Sequence, residues 1–317
     1  TCHRSEAAID GQLGLMFGQA FGSAMSDISK SAIAVIAPPL DAHILLLDPS
    51  DPQALRINGS PEFEMPMGTI YVNSSGNCAA NLIGTPDFYV GRVATVGTLC
   101  APADMSIRKD EGVEPMADPL AGLLATVGEW DALKATLAEP EGPNAQMDTP
   151  QVYTQGLYSH GAKLGGDGAI RLDPGVYMIG SGAGSKGIDL QGSQSIYGRD
   201  VTLLLDEGAT LRVTGSGAIL DITAPTTGPF AGVAIMSHRD NTSNGSGANT
   251  EVVLAGSGKI NIEGLIYVPG GHVDITGTAE KDIGGVISNT MELSGTANIT
   301  GKGLPTNSAP EHTFLVR

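Results

Sequence analysis

The stretch Val273-Asp274-Ile275-Thr276-Gly277-Thr278 reads as an apolar residue, any residue, an apolar residue, any residue, Gly and a hydroxyl residue. The phrase returns as Ile188-Asp189-Leu190-Gln191-Gly192-Ser193, Leu211-Arg212-Val213-Thr214-Gly215-Ser216, Val252-Val253-Leu254-Ala255-Gly256-Ser257 and Met291-Glu292-Leu293-Ser294-Gly295-Thr296. Its glycines stand 23, 41, 21 and 18 residues apart. If the longest gap holds two units, the mean step is about 20 residues, the length of one turn of a coiled β-solenoid. Alternation buries one face of a strand, and the Gly that follows permits the positive φ needed at a corner.

A second strand type interleaves with the first. Gly175–Ile179, Val201–Leu205, Gly232–Met236, Gly264–Val268 and Gly285–Ser288 are more continuously apolar, as strands covered on most sides are. The expected fold is an all-β, single-stranded β-solenoid, read as a right-handed parallel β-helix, in which each coil is stable only when stacked on its neighbours. A β-sandwich with irregular hairpins is the alternative, since the run Asn241 to Asn249 suits a loop in either architecture.

Composition agrees with turn-rich β structure. The 317 residues include 44 Gly and only 4% aromatic residues. A net charge of -17 with 17 basic residues argues against nucleic acid, which needs a clustered basic surface. No run reaches the ~20 apolar residues of a membrane span, and the start Thr1-Cys2-His3-Arg4 has no signal-peptide pattern. The chain therefore reads as soluble, or as the processed part of something longer, with no membrane span of its own.

Five segments follow along the chain: 1–39, a short N-terminal helix (Ser5 to about Asp27) and a leading strand; 40–103, the first coils; 104–150, a helical, Pro-rich insertion; 151–302, the main solenoid; and 303–317, a tail. The insertion carries the only tryptophan, Trp130, on an expected helix from about Pro119 to Ala138. Its Leu120, Leu123, Leu124, Val127, Leu133 and Leu137 are expected on one face, packed along the solenoid flank.

Three cysteines without ligand spacing exclude a thiolate zinc site. Cys78 and Cys100 lie 22 residues apart, about one coil, so they are candidates for a disulfide between adjacent rungs; two buried thiols are the other reading, and Cys2 is left over.

Further segments resemble a known family. Ile44-Leu45-Leu46-Leu47-Asp48-Pro49, Ala54-Leu55-Arg56-Ile57-Asn58-Gly59-Ser60, Ile70-Tyr71-Val72-Asn73-Ser74-Ser75 and Asp118-Pro119-Leu120-Ala121-Gly122-Leu123, then Leu172-Asp173-Pro174-Gly175-Val176-Tyr177, Ile222 to Gly228 and Gly264-Leu265-Ile266-Tyr267-Val268-Pro269, resemble the C-terminal extracytoplasmic region of TadG-like proteins of the Tad (Flp) pilus assembly system. The match covers about residues 40 to 299 in order. It implies a non-enzymatic envelope or pilus-associated component outside the cytoplasm, with pilus or envelope proteins or further copies of itself as partners. The N-terminal membrane helix typical of such proteins is missing here, so membrane anchoring does not carry over. Nor is there a cysteine just ahead of Val72-Asn73-Ser74, where relatives often have one.

Enzymatic β-helices supply the rival reading, a polysaccharide lyase or glycoside hydrolase. Hydrolysis needs two carboxylates flanking the scissile bond, and lyases use carboxylate-bound calcium with a basic residue. Asp206, Glu207, His238, Arg239 and Asp240 are the candidates, but a solvated, salt-bridged strand end is the preferred reading. Asp189, Asp274 and Glu292, with Arg212 in an equivalent place, form a row that reads as the polar face of a sheet before it reads as a calcium site. Gly182-Ala183-Gly184-Ser185-Lys186 has the wrong spacing for a phosphate loop and reads as a turn. No residue is assigned to catalysis, metal or cofactor. A glycan- or pilin-binding module is the second rival, with few aromatic residues to line a groove. The tail run Phe314-Leu315-Val316 remains as a candidate assembly element, folding back as a cap after Pro305 and Pro310 or adding to a neighbour's strand edge.

Overall fold

The computed structural model describes residues 5–8, 31–34, 42–85, 87–103, 105–140, 145–164, 166–182, 186–242, 252–296 and 298–301. Phe314, Leu315, Val316 and most of the expected N-terminal helix lie outside these residues. They fall into two units. In the first, Ser5–Ala8 and Ser31–Ala34 form an antiparallel pair with Ser5 opposite Ala34. Residues 5–8 are thus a strand, not the start of a helix.

The second unit is a parallel solenoid in which 21 strands form one continuous hydrogen-bonded system. Each coil carries three strand faces. The glycine phrases make the first. Here Ile188, Leu211, Val252, Val273, Met291, Leu55 and Ala80 register in one inward column. Gly192, Gly215, Gly256, Gly277, Gly295, Gly59 and Gly84 stack at the corner that follows, and a Cβ on any of the last six would meet the backbone of the glycine before it within 2.8 Å. A side chain is therefore excluded by contact as well as by φ, which is positive at all but Gly215. Gly215 and Gly256 follow directly paired strands. The gap of 41 residues is one coil, not two, because the strands before Gly215 and Gly256 pair directly with each other.

The apolar strands make the second face. Tyr177, Leu203, Ile235, Ile266, Val286, Ile44, Ile70 and Val93 form one of its inward columns. Its outward column, Leu157, Met178, Leu204, Met236, Tyr267, Ile287, Leu45, Tyr71 and Ala94, is apolar too and no more than 8% exposed. A third face, absent from the sequence reading, comprises short strands such as Ala169–Leu172, Ser195–Gly198 and Ile219–Thr223. Ile170, Ile196, Leu220, Ile260, Lys281, Phe63 and Phe88 lie along its inward side.

The coils do not stack in chain order. Strand Glu280–Gly295 pairs on one edge with Ile260–Ile275 and on the other with Ala42–Leu46 and Leu55–Gly59. Strand Asn298–Gly301 lies between Glu280–Gly295 and Glu62–Val72. One rung is therefore composite, its third face supplied by the last described strand and its other two by the first strands of this unit. The 42–111 coils continue the stack beyond the 151–301 coils. Residues 42 and 301 both lie in an inner rung whose two edges are paired, so neither stands at an open end of the ladder.

This order obliges the connecting segment to travel back along the solenoid, and 113–140 does so as a strap over the apolar outer column. Its helix is Val127–Thr136, started by a capping box between Thr126 and Glu129. That is shorter than the expected helix, since 119–124 form turns and Leu124 has φ 45°. Among the apolar residues expected on one helical face, Leu120 is buried and Val127 is half exposed; Trp130 makes the main helical contact instead.

Candidate functional site

The strap is fixed to successive rungs by polar anchors. The Tyr71 hydroxyl donates to Glu114 O. Asn73 exchanges two hydrogen bonds with the Met116 backbone, each 2.8 Å. The Tyr267 hydroxyl donates to Asp118 Oδ2 at 2.7 Å, and burial, then the Asp118 charge, raise its pKa. Arg239 donates to the carbonyls of Leu120 and Ala121, both at 3.0 Å, and lies over the Tyr267 ring. Further along, Trp130 Nε1 donates to Asp206 Oδ1 at 2.9 Å, Lys134 pairs with the other carboxylate oxygen, and Trp130 meets the His238 ring edge-on at 4.9 Å. Leu157 N donates to Ala138 O at 2.7 Å, ending the walk at the first coil.

Of the five candidates read as a solvated strand end, Asp206 and His238 are instead buried beneath the strap. Asp206 and His238 meet at Trp130, whereas Arg239 turns to Leu120, Ala121 and Tyr267, so the three contact the strap at two separate anchors. Both Asp206 carboxylate oxygens are engaged, one by Trp130 and the other by Lys134. Glu207 and Asp240 are exposed and stand outside this node. The indole-to-carboxylate anchor was missed in the sequence, although a lone tryptophan and an Asp closing the run Val201–Leu205 were both visible.

The row on the first face is brought together in register. Asp189 neighbours Arg212, Asp274 neighbours Glu292, and Glu292 neighbours Arg56, with a 3.7 Å ion pair in the last case. Val253 separates Arg212 from Asp274. Burial, and then the Glu292 charge, push Asp274 up to about 6. Two stacked carboxylates share a proton more readily than they hold an ion without a third ligand, and among the described residues no cluster of three or more His, Cys, Asp or Glu is placed to bind a metal. Gly182 N donates to Ser159 O of the adjacent rung at 2.9 Å, and residues 183–185 of that run lie outside the described residues.

Cys78 and Cys100 are joined as a disulfide with Cα atoms 5.0 Å apart, stapling the coils at one extremity. At the composite rung an apolar cavity of about 10 Å³, lined by residues including His43, Phe63, Met65 and Val286, is no larger than one water molecule. No helix among the described residues is long and apolar enough to cross a membrane. The chain matches no known family model, no curated protein and no solved structure.

Proposed function

We propose that the chain is a non-enzymatic structural component of the bacterial cell surface, associated with Tad-type pilus assembly. The strap carries this reading. It locks rung after rung through Asn73, Tyr267, Arg239 and Asp206, spending on rigidity the very residues that an active site would need free. Nearest-neighbour stacking alone leaves a solenoid open to local fraying, and a segment anchored at many levels couples distant coils. The disulfide suits an oxidising, extracytoplasmic setting. The coil is read as right-handed, the hand taken by nearly all crossovers between parallel strands. The pilus association rests on the family resemblance.

Two measurements test this reading. Incubation with neutral and acidic polysaccharides is expected to yield no new reducing ends and no unsaturated products; either product would return the chain to the carbohydrate-active class. Fractionation of producing cells, with antibody labelling of intact cells, is expected to place the protein at the surface. Recovery solely from the cytosol would defeat the surface role.

A further inference from the structure

The seam in the composite rung is a ladder contact that no peptide bond crosses. Val286–Ser288 pairs with Ile44–Leu46, Met291–Gly295 with Leu55–Gly59, and Asn298–Thr300 with Glu62–Glu64. Gly301 registers with Ile283 and Ile44 with Val286, so 42–111 continues the coil as though it followed residue 301 directly. The backbone joins it to 151–301 only through 112–150. Packing at the seam is incomplete. The apolar cavity there is lined from both sides, by Ile44, Phe63 and Met65 on one and by Ile275, Ile283 and Met291 on the other. Arg56 Nε is buried with no hydrogen bond, although the same guanidinium reaches across to Glu292 at 3.7 Å. The strap divides at this level too. Tyr71 and Asn73 hold Glu114 and Met116 to the 42–111 coils, whereas Tyr267 and Arg239 hold Asp118 and Leu120 to the 151–301 coils. Ala117 is exposed between the two sets of anchors.

We propose that 42–111 is an exchangeable module, and that two copies of the chain trade it, each seating its module on the other's seam in a closed two-fold dimer. The exchanged form remakes every ladder bond and apolar contact of the seam, so monomer and dimer differ chiefly at the hinge. That hinge is Ala117, a short connection between fixed anchors, which is the kind that invites exchange. Pro115 and Pro119 on either side limit how sharply the chain turns there. Once one module has seated on the partner, the hinge holds the second pair of surfaces at high effective concentration, so closure outcompetes open-ended growth. The Cys78–Cys100 bridge lies inside the module and travels with it. The seam must open before it can exchange, so trade is slow in buffer and fast near the unfolding midpoint. This inference goes beyond the surface role and does not depend on it.

The test holds the full chain at several concentrations in denaturant near its midpoint, returns it to buffer and sizes it by sedimentation velocity. Monomer and dimer are expected, the dimer-to-monomer ratio rising with the concentration during exchange and the dimer surviving later dilution. Cysteine pairs placed across the seam then identify the contact. In a Cys2→Ser background, Glu64→Cys with Thr300→Cys, or Asn58→Cys with Ser294→Cys, sets two thiols one ladder step apart, within reach of a disulfide. On oxidation the monomer fraction is expected to give intrachain links, and the dimer fraction a covalent dimer on a non-reducing denaturing gel. Two pairs are used so that the misfolding of one variant leaves the other to decide. The proposal is overturned by monomer alone at every concentration, by a dimer whose seam links are all intrachain, or by growth into fibres. None of these outcomes bears on enzymatic products or cell location, which decide the functional reading separately.

Discussion

The two extremities of the solenoid face the same problem, a core with nothing beyond it, and solve it with different chemistry. At the strap-return end, Tyr153, Tyr158 and Tyr177 pile up with ring centroids 5.7 and 6.0 Å apart. Their hydroxyls are satisfied: Tyr158 donates to Thr154 O at 2.7 Å, and Tyr177 lies 2.7 Å from both Tyr153 O and Asp173 O. Large rings with local partners close the core without any covalent help. At the far end, Phe88 stacks on Phe63 at 5.5 Å, the cap strand is three residues long, and the Cys78–Cys100 bridge supplies what hydrogen bonding does not. One end is closed by packed rings and the other by a short chain segment held with a covalent cross-link.

The largest expected effect lies at the aromatic end. Tyr158→Ala empties a fully buried site and should cost about 3–5 kcal/mol, as aromatic-to-Ala core changes do, read as a lower urea midpoint. A loss below about 1 kcal/mol would mean that the strap, not the rings, closes that end. Next comes the staple. Replacing Cys78 and Cys100 together by Ser should cost about 3 kcal/mol through release of a loop of this order. Hydrogen exchange should then accelerate in 87–111 and stay slow in 156–179. Equal acceleration at both ends would erase the contrast between them.

Two variants in the middle calibrate the comparison, since they should leave both ends unchanged. Lys281 is fully buried in the inward column, with Ala279 O at 3.3 Å from its amine. Burial lowers its pKa from 10.5 to about 8. The folded state thus disfavours the charged amine, and the wild type should gain stability as pH rises through 8 toward 10.5. Lys281→Met should stabilise by about 2 kcal/mol at neutral pH, and a destabilised variant would refute the desolvation account. The smallest effect is at Asp274. Its raised pKa makes the folded state hold a proton that the unfolded chain releases, so stability should fall as pH climbs from about 4 through 6. Asp274→Asn should flatten that slope and gain about 1 kcal/mol at pH 7, after allowance for partial exposure. An unchanged slope in a pH series of thermal melts would remove Asp274 from the account.

What was legible in the sequence was local. The Gly256 and Gly277 corners follow from alternation and positive φ. Strands such as Val201–Leu205 announced a second covering layer through residues apolar on both faces, and the strap is that layer. The third face was less visible because its strands bury few side chains each; in Ile219–Thr223 only Leu220 and Ile222 are buried. The stacking order was not legible at all. One glycine phrase pairs as well with another wherever it lies in the chain, so nothing local says that Gly59 follows Gly295. For the same reason the 41-residue gap was divided wrongly, and His238-Arg239-Asp240 suggested chemistry although its arginine reaches back to the carbonyls of Leu120 and Ala121 in the strap.

The composite rung sets a schedule for the chain's assembly. As the chain emerges from the ribosome, residues 42–111 come first, yet the strands on which they sit, Glu280–Gly295 and Asn298–Gly301, come last. Contacts of such long sequence separation form slowly. The earliest coils must therefore wait, with apolar columns and a strand edge uncovered, until nearly the whole unit has been made. The natural order of folding starts at the tyrosines and runs toward the seam, so the first-made part of the solenoid is the last to find its place.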